Sequence, residues 1–488
     1  MNGQQIGYLK KADENIPKLY KSFIRIPNKF IFSKKDDSII LDLGNHYVGF
    51  FSFTMDYTTV YPDAPVRLCV KFCEDKEELE SDFSSYQGGL CASWLQEEII
   101  NIDCIGRYKM PRRYSARYVK ISVIYTPREI VLSDFTFMAQ TSANKKLLKK
   151  LDVSDGELEK IDKVSVNTLK NCMHKIFEDG PKRDRRLWIG DLRLEALADY
   201  YTFHQLSIIR RCLYLFAACD TNESDILPAY LYETPKFVSG EWFLQDYALL
   251  FVVALCDYYL HTGDEKTFLD IYPVAKRQME AVERTKDVNG IVTIANGCEV
   301  FIDWNNKLEK TTALNGVYLY ALDVLIRTLQ KINHLDVELY QMRYQKSILA
   351  VYTYLYDKER NTFENIYDDR QKSVHSVVWM ILGGVIEGEE AWTILKNALQ
   401  DIAYEKAVTP YMNHYVIEAM LKLNKKEEAM QYIKEFWGGM IKNCADTFYE
   451  IFVPNNPELS PYGDKMINSM CHAWSCTPTY FIRSIIKK

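Results

Sequence analysis

The stretch Asp179-Gly-Pro-Lys-Arg-Asp184-Arg-Arg-Leu-Trp188-Ile-Gly-Asp191 has the most unusual composition in this 488-residue chain. Its thirteen residues include three carboxylates, four cations, two glycines, a proline and a tryptophan. Glycine and proline favour an irregular backbone, which can direct side chains into a cleft rather than a core. Cations lower the pKa of nearby carboxyl groups, so a carboxyl that stays protonated here must be shielded by burial or by another carboxylate. Two interpretations follow, a helix-entry loop with surface ion pairs and a ligand site.

The spacing of this stretch resembles the signature at the head of the catalytic domain in the α-L-rhamnosidase family, glycoside hydrolase family 78. Asp184 follows Asp179 by five positions, Trp188 follows Asp184 by four, and Asp191 follows Trp188 by three. The resemblance implies that Asp184 is the general acid, although the family more often has Glu at this position. It also implies that Asp179 and Asp191 line the sugar subsite and that Trp188 packs against the sugar. Arg183, inside the same motif, is assigned to the subsite with them.

A second carboxylate is needed because an inverting glycosidase uses one acid and one base, roughly 6.5–9.5 Å apart to leave room for a water molecule. The candidate is Glu450, which ends the run Asn443-Cys-Ala-Asp-Thr-Phe-Tyr-Glu450. This run resembles the family motif Ala-Thr-Thr-x-Trp-Glu, whose glutamate is the catalytic base, with Tyr449 in place of the usual tryptophan. The alternative interpretation of Glu450 is a solvated glutamate at a helix start.

Three further runs resemble family motifs and contribute the other predicted site residues. Ser239-Gly-Glu-Trp242-Phe-Leu-Gln-Asp246 and Phe301-Ile-Asp303-Trp304 each precede a predicted helix, and Asn468-Ser-Met-Cys-His472-Ala-Trp474 resembles the closing helix. A flat ring beside a hydroxyl-accepting carboxylate is typical of a sugar site. We therefore predict substrate contacts from Trp242, Asp246, Asp303, Trp304 and His472. The alternatives are plain helix caps for the acids and a core histidine at position 472.

Residues up to about 140 have the pattern of β-strands. We predict strands within Ile39–Met55, Val66–Phe72, Tyr118–Tyr125 and Ile130–Phe137, the first of them as two runs around a Gly44-Asn45 turn. Several short strands with intervening turns favour a β-sandwich. The runs Leu41–Gly44 and Arg113–Lys120 also resemble the β-sandwich that precedes the catalytic domain in the family. An accessory role is favoured because this part has no acid pair or metal cluster in its sequence.

From about Thr141 the apolar residues recur with helical spacing. Ser154-Asp-Gly-Glu157 has capping-box spacing, and Gly263 is a natural stop for the apolar helix Tyr247–His261. Further helices are predicted at Glu265–Lys286, Thr311–His334, Val337–Tyr356, Ser373–Ile386, Glu390–Tyr404, Asn413–Leu423, Lys426–Trp437 and Asn468–Ile486. The pattern alone predicts an all-α domain of about twelve helices. Its closure into an (α/α)6 barrel, a toroid of six helical hairpins, is implied by the resemblance.

The prediction is a multidomain β + α chain, with a β-sandwich accessory domain over residues 1–140 and a catalytic (α/α)6 barrel over residues 141–488. A net charge of -6 and a pI near 5.9 do not indicate binding to nucleic acid or to a membrane surface. Met1–Asn15 has no signal-peptide pattern, and the twelve cysteines form no regular framework. We therefore expect a cytoplasmic protein, although a chain whose leader had been removed would look the same.

The predicted function is that of an inverting glycoside hydrolase that removes terminal α-L-rhamnosyl, or closely related, residues from glycosides or oligosaccharides. The expected partner is a carbohydrate, no motif implies a metal or another cofactor, and self-association is left open. One alternative is a polysaccharide lyase on a similar toroid, in which Tyr449, His472 and Arg183 abstract a proton beside a uronate carboxylate. The other is a carbohydrate-binding protein without catalysis.

Overall fold

An antiparallel sheet occupies most of the first third of the chain in the computed structural model, which describes residues 2–61, 64–364 and 371–486. Its strands are β1 (Tyr20–Ile26), β2 (Phe30–Phe32), β3 (Ser38–Tyr57), β4 (Val66–Cys73), β5 (Glu97–Ile102), β6 (Gly106–Lys109), β7 (Tyr114–Tyr125) and β8 (Ile130–Thr141). Their order across the sheet is β1-β8-β3-β7-β4-β5, while β2 also pairs with β8 and β6 with β3. A short helix, α2 (Lys76–Glu80), follows β4.

The long strand β3 connects the two halves of this sheet. It pairs with β7 over residues 38–49 and with β8 over residues 49–57. The predicted turn at Gly44-Asn45 is wrong, because the strand continues and its register with β7 shifts between Asp42 and Tyr47. Gly44 has φ +78°, a conformation that glycine adopts without steric cost, so it forms an irregularity inside the strand instead of a chain reversal.

Helices predominate in the rest of the described chain. They are α3 (Gly156–Cys172), α4 (Ile189–Tyr201), α5 (Leu206–Ala217), α6 (Gln245–Thr262), α7 (Glu265–Glu283), α8 (Thr311–Lys331), α9 (Val337–Tyr354), α10 (Val374–Leu382), α11 (Gly388–Gln400), α12 (Pro410–Lys422), α13 (Lys426–Lys442) and α14 (Pro478–Ile486). Short strands lie between them: β9 (Leu187–Trp188), β10 (Tyr230–Tyr232), β11 (Val238–Ser239), β12 (Tyr356–Asp357), β13 (Thr362–Phe363), β14 (Lys372–Ser373) and β15 (Tyr404–Glu405). Across residues 2–61, 64–364 and 371–486, none of the helices is both long and apolar enough to span a membrane.

Alternate helices pack side by side in an inner layer. Helix α4 packs on α6, α6 on α8, α8 on α10, and α10 on α12, while the 3-10 turn Ala473–Cys476 contacts both α12 and α4. Every residue of α10 is buried, as are most residues of α4, α6 and α8. By contrast, α7, α9, α11 and α13 expose one face to solvent. A helix that is apolar on all sides needs such a buried position.

The starts of two helices and the content of the N-terminal part differ from the prediction. The N-cap of α3 is Asp155 rather than Ser154, since its carboxylate accepts hydrogen bonds from the backbone N–H of Glu157 and Leu158. The last helix begins at Pro478, not at residue 468, because the preceding backbone bonds to other segments. Finally, α1 (Gly3–Glu14), in the part assigned to the sheet domain, packs against α5 of the helical part.

Candidate active site

The predicted catalytic loop, residues 179–186, is the second part of the connection from α3 to β9. Its ends are paired, since Asp179 N donates to Arg186 O at 3.1 Å and Arg186 N donates to Asp179 Oδ1 at 3.0 Å. Asp184 and Arg185 have φ values of +63° and +54°, which are uncommon for residues with a Cβ. Neighbouring contacts must fix such a backbone. Arg185 supplies two of them, donating to Pro181 O at 2.8 Å and to O of Arg113, which directly precedes β7, at 2.9 Å.

The second carboxylate, Glu450, is held by the irregular segment 467–474. Glu450 N donates to Ser469 O at 2.9 Å, and Ser469 N donates back to Glu450 Oε2 at 3.1 Å. The indole Nε1 of Trp474 donates to Glu450 O at 2.9 Å. Ala473 N donates to Asp179 O at 2.7 Å, which joins this segment to the catalytic loop. In a helix over residues 468–486, Ser469 O and Ala473 N would instead bond to each other, because they stand four residues apart.

One guanidinium contacts both predicted catalytic carboxylates. Arg183 Nη1 lies 3.6 Å from Asp184 Oδ1, and Arg183 Nη2 donates to Glu450 Oε2. Tyr462 Oη donates to the other oxygen, Glu450 Oε1, at 2.5 Å. Burial acts to raise the pKa of Glu450, but the charges of Arg183 and His472 and these hydrogen bonds outweigh it and lower the pKa to about 2. Glu450 is therefore ionised at neutral pH, as a proton acceptor must be.

Asp179 and Asp191 lie in the opposite electrostatic environment. Burial and the charges of Asp184 and Asp191 raise the pKa of Asp179 well above its usual value. Burial and the charge of Glu450 do the same for Asp191. Burial also lowers the pKa of His472, whose Nδ1 lies 3.5 Å from Asp191 Oδ1, to about 4. The site thus combines an ionised carboxylate with carboxyl groups that favour their protonated form, a separation that acid–base chemistry exploits.

Aromatic rings form the wall of the cavity between these groups. The lining rings are those of Trp188, Trp242, Tyr247, Phe301, Trp304, Tyr462 and Trp474. Trp188 and Trp242 meet edge to face with centroids 5.8 Å apart, and Phe301 stacks on Trp474 at 6.0 Å. Flat apolar walls of this kind suit the ring faces of a sugar.

Four polar atoms on the wall are buried and have no hydrogen-bond partner within the described parts of the chain. They are Trp188 Nε1, Trp304 Nε1, Asp191 Oδ1 and His472 Nδ1, of which the last two face each other at 3.5 Å without hydrogen-bond geometry. Most buried polar atoms in proteins are paired, so these four atoms are available to hydrogen-bond a ligand in the cavity. Two indole donors, one carboxyl and one imidazole can together satisfy several hydroxyl groups. A polyhydroxylated ligand fits this pattern.

Most of the predicted site residues meet at this cavity. Its lining includes Asp179, Arg183, Asp184, Trp188, Asp191, Trp242, Trp304, Glu450 and His472. Sequence reasoning did not select four of the lining aromatics. Tyr247 directly follows one quoted motif, and Phe301 and Trp474 lie within two others. Selection of every aromatic residue in and beside these motifs would therefore have found all three. Tyr462 lies in Ser460-Pro-Tyr-Gly463, a turn without a recognised motif, and only the fold brings it to Glu450.

The predictions for Asp246 and Asp303 need correction, because neither side chain lines the cavity. Both oxygens of Asp246 accept backbone hydrogen bonds, from Phe301 N at 3.0 Å and Ile302 N at 2.9 Å. Asp303 Oδ2 accepts from His375 Nε2 at 2.8 Å, and Oδ1 accepts from Thr409 Oγ1 at 2.7 Å. The two carboxylates therefore position the loop that carries Phe301 and Trp304 instead of contacting a ligand.

Tyr449 also lies away from the cavity. It lines a separate and larger space between the sheet and the helical part, together with Arg117, Tyr118 and Phe452. Glu450 faces the aromatic cavity, and its two chain neighbours, Tyr449 and Ile451, face the other space. The three residues considered for a lyase, Tyr449, His472 and Arg183, are therefore not gathered at one cavity.

A helical domain whose cavity joins an ionised carboxylate, protonatable carboxyl groups and aromatic walls defines a carbohydrate-active enzyme. The N-terminal domain of glycosyl hydrolase family 78 α-rhamnosidases matches residues 21–139, and the bacterial α-L-rhamnosidase six-hairpin glycosidase domain matches residues 148–486. The chain therefore belongs to glycoside hydrolase family 78, the α-L-rhamnosidase family. The predicted family is confirmed, as are its enzyme class and the helical toroid that this domain implies.

Solved structures of rhamnosidases have the same fold. A rhamnosidase from Klebsiella oxytoca with rhamnose bound is 35% identical, with 98% of each chain covered and a TM-score of 0.93. A family 78 rhamnosidase from Bacillus sp. GL1 is 22% identical with a TM-score of 0.79, over 94% of this chain and 48% of that one. The Streptomyces avermitilis α-L-rhamnosidase complexed with L-rhamnose is 13% identical with a TM-score of 0.71, over 95% of this chain and 43% of that one. No curated protein sequence matches the chain significantly.

Proposed function

We propose that this protein is an inverting α-L-rhamnosidase that removes terminal α-L-rhamnosyl residues from glycosides or oligosaccharides. Asp184 is the general acid and Glu450 the general base. The observation that carries the proposal is the contact of one guanidinium, that of Arg183, with both carboxylates at the edge of an aromatic cavity. The rhamnose bound to the Klebsiella oxytoca relative supports the choice of sugar.

In the proposed reaction, a water molecule attacks the anomeric carbon from the Glu450 side. Glu450 removes a proton from that water as the new C–O bond forms. Asp184 delivers its proton to the glycosidic oxygen as the bond to the aglycone breaks, so each carboxyl group ends with the charge that the other began with. Asp184 keeps 17% of its side-chain surface exposed, which leaves room for the aglycone at the mouth of the cavity. Arg183 balances the total charge of the pair throughout.

The remaining wall residues are proposed to hold the sugar ring. Trp188, Trp242 and Trp304 pack against its faces, as aromatic rings commonly do in sugar sites. Asp179 and Asp191, whose pKa values are raised, offer carboxyl O–H groups to sugar hydroxyls. His472 Nδ1 and the two orphaned indole N–H groups complete the set of polar contacts. None of these roles requires a metal or another cofactor.

We also propose that the helical part closes into an (α/α)6 barrel, that the sheet part is a β-sandwich, and that the two domains divide at about residue 140. The inner helices and the 3-10 turn at 473–476 follow one another around a closed circuit, which supports an (α/α)6 barrel. The two pairing halves of β3 support a sandwich whose layers share this strand. The cytoplasmic location stays a prediction.

Hydrolysis of a panel of nitrophenyl glycosides tests the function. The α-L-rhamnoside should be cleaved fastest, and Asp184→Asn should abolish cleavage of a rhamnoside with a poor leaving group. Wild-type protein that cleaves none of the panel would contradict the proposal. Products with a conjugated double bond that absorbs in the ultraviolet would instead indicate a lyase, and binding of rhamnose without turnover would indicate a carbohydrate-binding protein.

A further inference from the structure

Lys182 is a charged residue of the catalytic loop for which the proposed reaction has no use. It is 1% exposed, although lysine is rarely buried unless its ammonium is paired. Its Nζ donates to Glu78 Oε1 at 2.5 Å and to Asn468 O at 2.6 Å, and it lies 3.5 Å from Glu74 Oε2. Lys182 therefore points away from the sugar cavity and into the sheet part of the molecule.

The two partner carboxylates belong to the sheet part and are equally buried. Glu74 directly follows β4, and Glu78 lies in α2. Glu78 Oε2 accepts from Glu74 N at 2.5 Å, and Glu74 Oε1 accepts from Ser115 Oγ of β7 at 2.7 Å. These bonds fix both carboxylates to the sheet. The Lys182 ammonium is therefore held by two carboxylates of the sheet part as well as by Asn468 O of the helical part.

The same cluster also holds the segment that supports Glu450. Glu74 Oε2 accepts from Met470 N at 2.7 Å, and Lys182 binds the carbonyl of Asn468. Between these two residues lies Ser469, which exchanges hydrogen bonds with the backbone and side chain of Glu450. One buried cluster thus contacts two places. One is the catalytic loop, two residues before Asp184, and the other is the 468–470 backbone that holds Glu450.

Two carboxylates share one ammonium in this cluster. Burial raises the pKa of Glu78 to about 7. Burial also opposes ionisation of Glu74, but the Lys182 charge and the hydrogen bonds of His46 and Ser115 lower its pKa to about 2. Each oxygen of Glu78 accepts one hydrogen bond, from Lys182 Nζ and from Glu74 N, so an amide in its place sets an N–H group against one of these donors and the groups must rearrange. Such a rearrangement would move the loop and the Ser469 segment relative to each other.

We propose that Glu74 and Glu78 of the sheet part, acting through Lys182 and the 468–470 backbone, are positioning residues that set the separation of Asp184 and Glu450. The inference rests on the proposed roles of these two carboxylates. It gives the sheet part a catalytic purpose, because proton transfer depends on geometry and a misplacement of about 1 Å can cost roughly 100-fold in rate.

The test replaces Glu78 by Gln, which keeps the shape of the side chain and exchanges one of its two accepting oxygens for an N–H donor. We expect kcat on an α-L-rhamnoside to fall by about 10- to 100-fold with KM changed less than about twofold, since the sugar contacts are untouched. The double variant Glu78→Gln/Lys182→Met should lose little more than the worse of the two single variants, because the residues act as one unit. Should Glu78→Gln fail to fold, Glu78→Asp keeps the charge, shortens the side chain and should show a smaller loss of the same kind.

Glu418→Gln is the matched control. Glu418 is paired with the buried Arg193 at 3.1 Å and lines a different cavity, with Tyr320 and Tyr480. This variant should lose thermal stability and keep its kcat. A folded Glu78→Gln protein with wild-type kcat, or a control with an equal loss of kcat, overturns the inference.

Hydrogen exchange of the sugar-free proteins separates this inference from the proposed function. Amides of residues 179–186 and 467–472 should exchange faster in Glu78→Gln than in the wild type. Their exchange rates in Glu418→Gln should equal those of the wild type. If the wild-type protein hydrolyses no rhamnoside, the proposed function is contradicted. The exchange rates still test whether Glu78 positions the two segments, because they are measured without substrate. Unchanged exchange in Glu78→Gln would overturn it.

Discussion

Substitution of Tyr462 by Phe probes the electrostatics of the proposed base with the loss of one atom. The ring lies over the Arg183 guanidinium at 4.4 Å and meets Trp304 edge to face at 5.7 Å, and Phe retains both contacts. Only the hydroxyl that donates to Glu450 Oε1 at 2.5 Å is removed. A hydrogen bond to a charged group contributes about 1.5–3 kcal/mol, equivalent to about one to two pKa units. The pKa of Glu450, now about 2, should therefore rise by that amount.

The assay is the pH dependence of kcat/KM on an activated aryl α-L-rhamnoside, which reports ionisations of the free enzyme. A carboxylate base must be ionised, so activity falls as pH drops through its pKa. In the wild type this acid limb lies near the lower limit of measurable pH, whereas in Tyr462→Phe it should move up by about one to two units. Return of samples to neutral pH, with recovery of full activity, shows that the limb is not caused by unfolding.

Tyr320→Phe is the control for this substitution. The Tyr320 hydroxyl also donates to a buried glutamate, Glu418, but at a different cavity. Its loss should leave the acid limb where it is. If the limbs of Tyr462→Phe and the wild type coincide, Glu450 does not govern the acid limb, and the assignment of the base is refuted.

Three further outcomes are expected. Asp184→Asn should lose turnover of substrates with poor leaving groups, by about 10²–10⁴-fold or more, and retain more rate on an activated aryl rhamnoside, as steady-state kinetics on both substrates will show. Glu450→Gln should lower the hydrolysis rate of both substrates equally, because the attacking water must be deprotonated whichever leaving group departs. Azide should restore part of the rate of this variant, and retention of wild-type rates would contradict the role of Glu450 as the base. Because the pKa of Glu450 is lowered in the folded state, its stabilising contribution is complete above about pH 4.5 and lost as pH falls towards 2, by about 3 kcal/mol. The free energy of unfolding, measured with denaturant across this pH range, should therefore change more steeply with pH in the wild type than in Glu450→Gln.

Much of the site was predictable because several of its residues lie close together in the sequence and form a motif of characteristic residue types and spacing. Asp179, Asp184, Trp188 and Asp191 lie within thirteen residues, and all four line the cavity. Sequence spacing could not reveal which way a side chain points. An acid at the head of a helix has the same local pattern whether it faces a ligand or binds backbone N–H groups, as Asp246 does.

The contacts that sequence reasoning missed join distant parts of the chain. Lys182 and Glu78 are 104 positions apart, and Arg183 and Glu450 are 267 apart. No local periodicity encodes such pairs, and a buried lysine has the same sequence signature as a surface one. Likewise, Gly44-Asn45 has the pattern of a turn, but pairing of β3 with β7 on both sides of it keeps the strand continuous.

The central claim is inversion by the Asp184 and Glu450 pair, and the configuration of the first-formed sugar tests it most directly. Proton NMR recorded during the first turnovers, before mutarotation, identifies the anomer that leaves the wild-type enzyme. Our account predicts that an α-L-rhamnoside first yields β-L-rhamnose. Release of the α-anomer first would show a retaining mechanism, which requires a nucleophile about 5 Å from the acid rather than a water between two carboxylates, and would contradict the account.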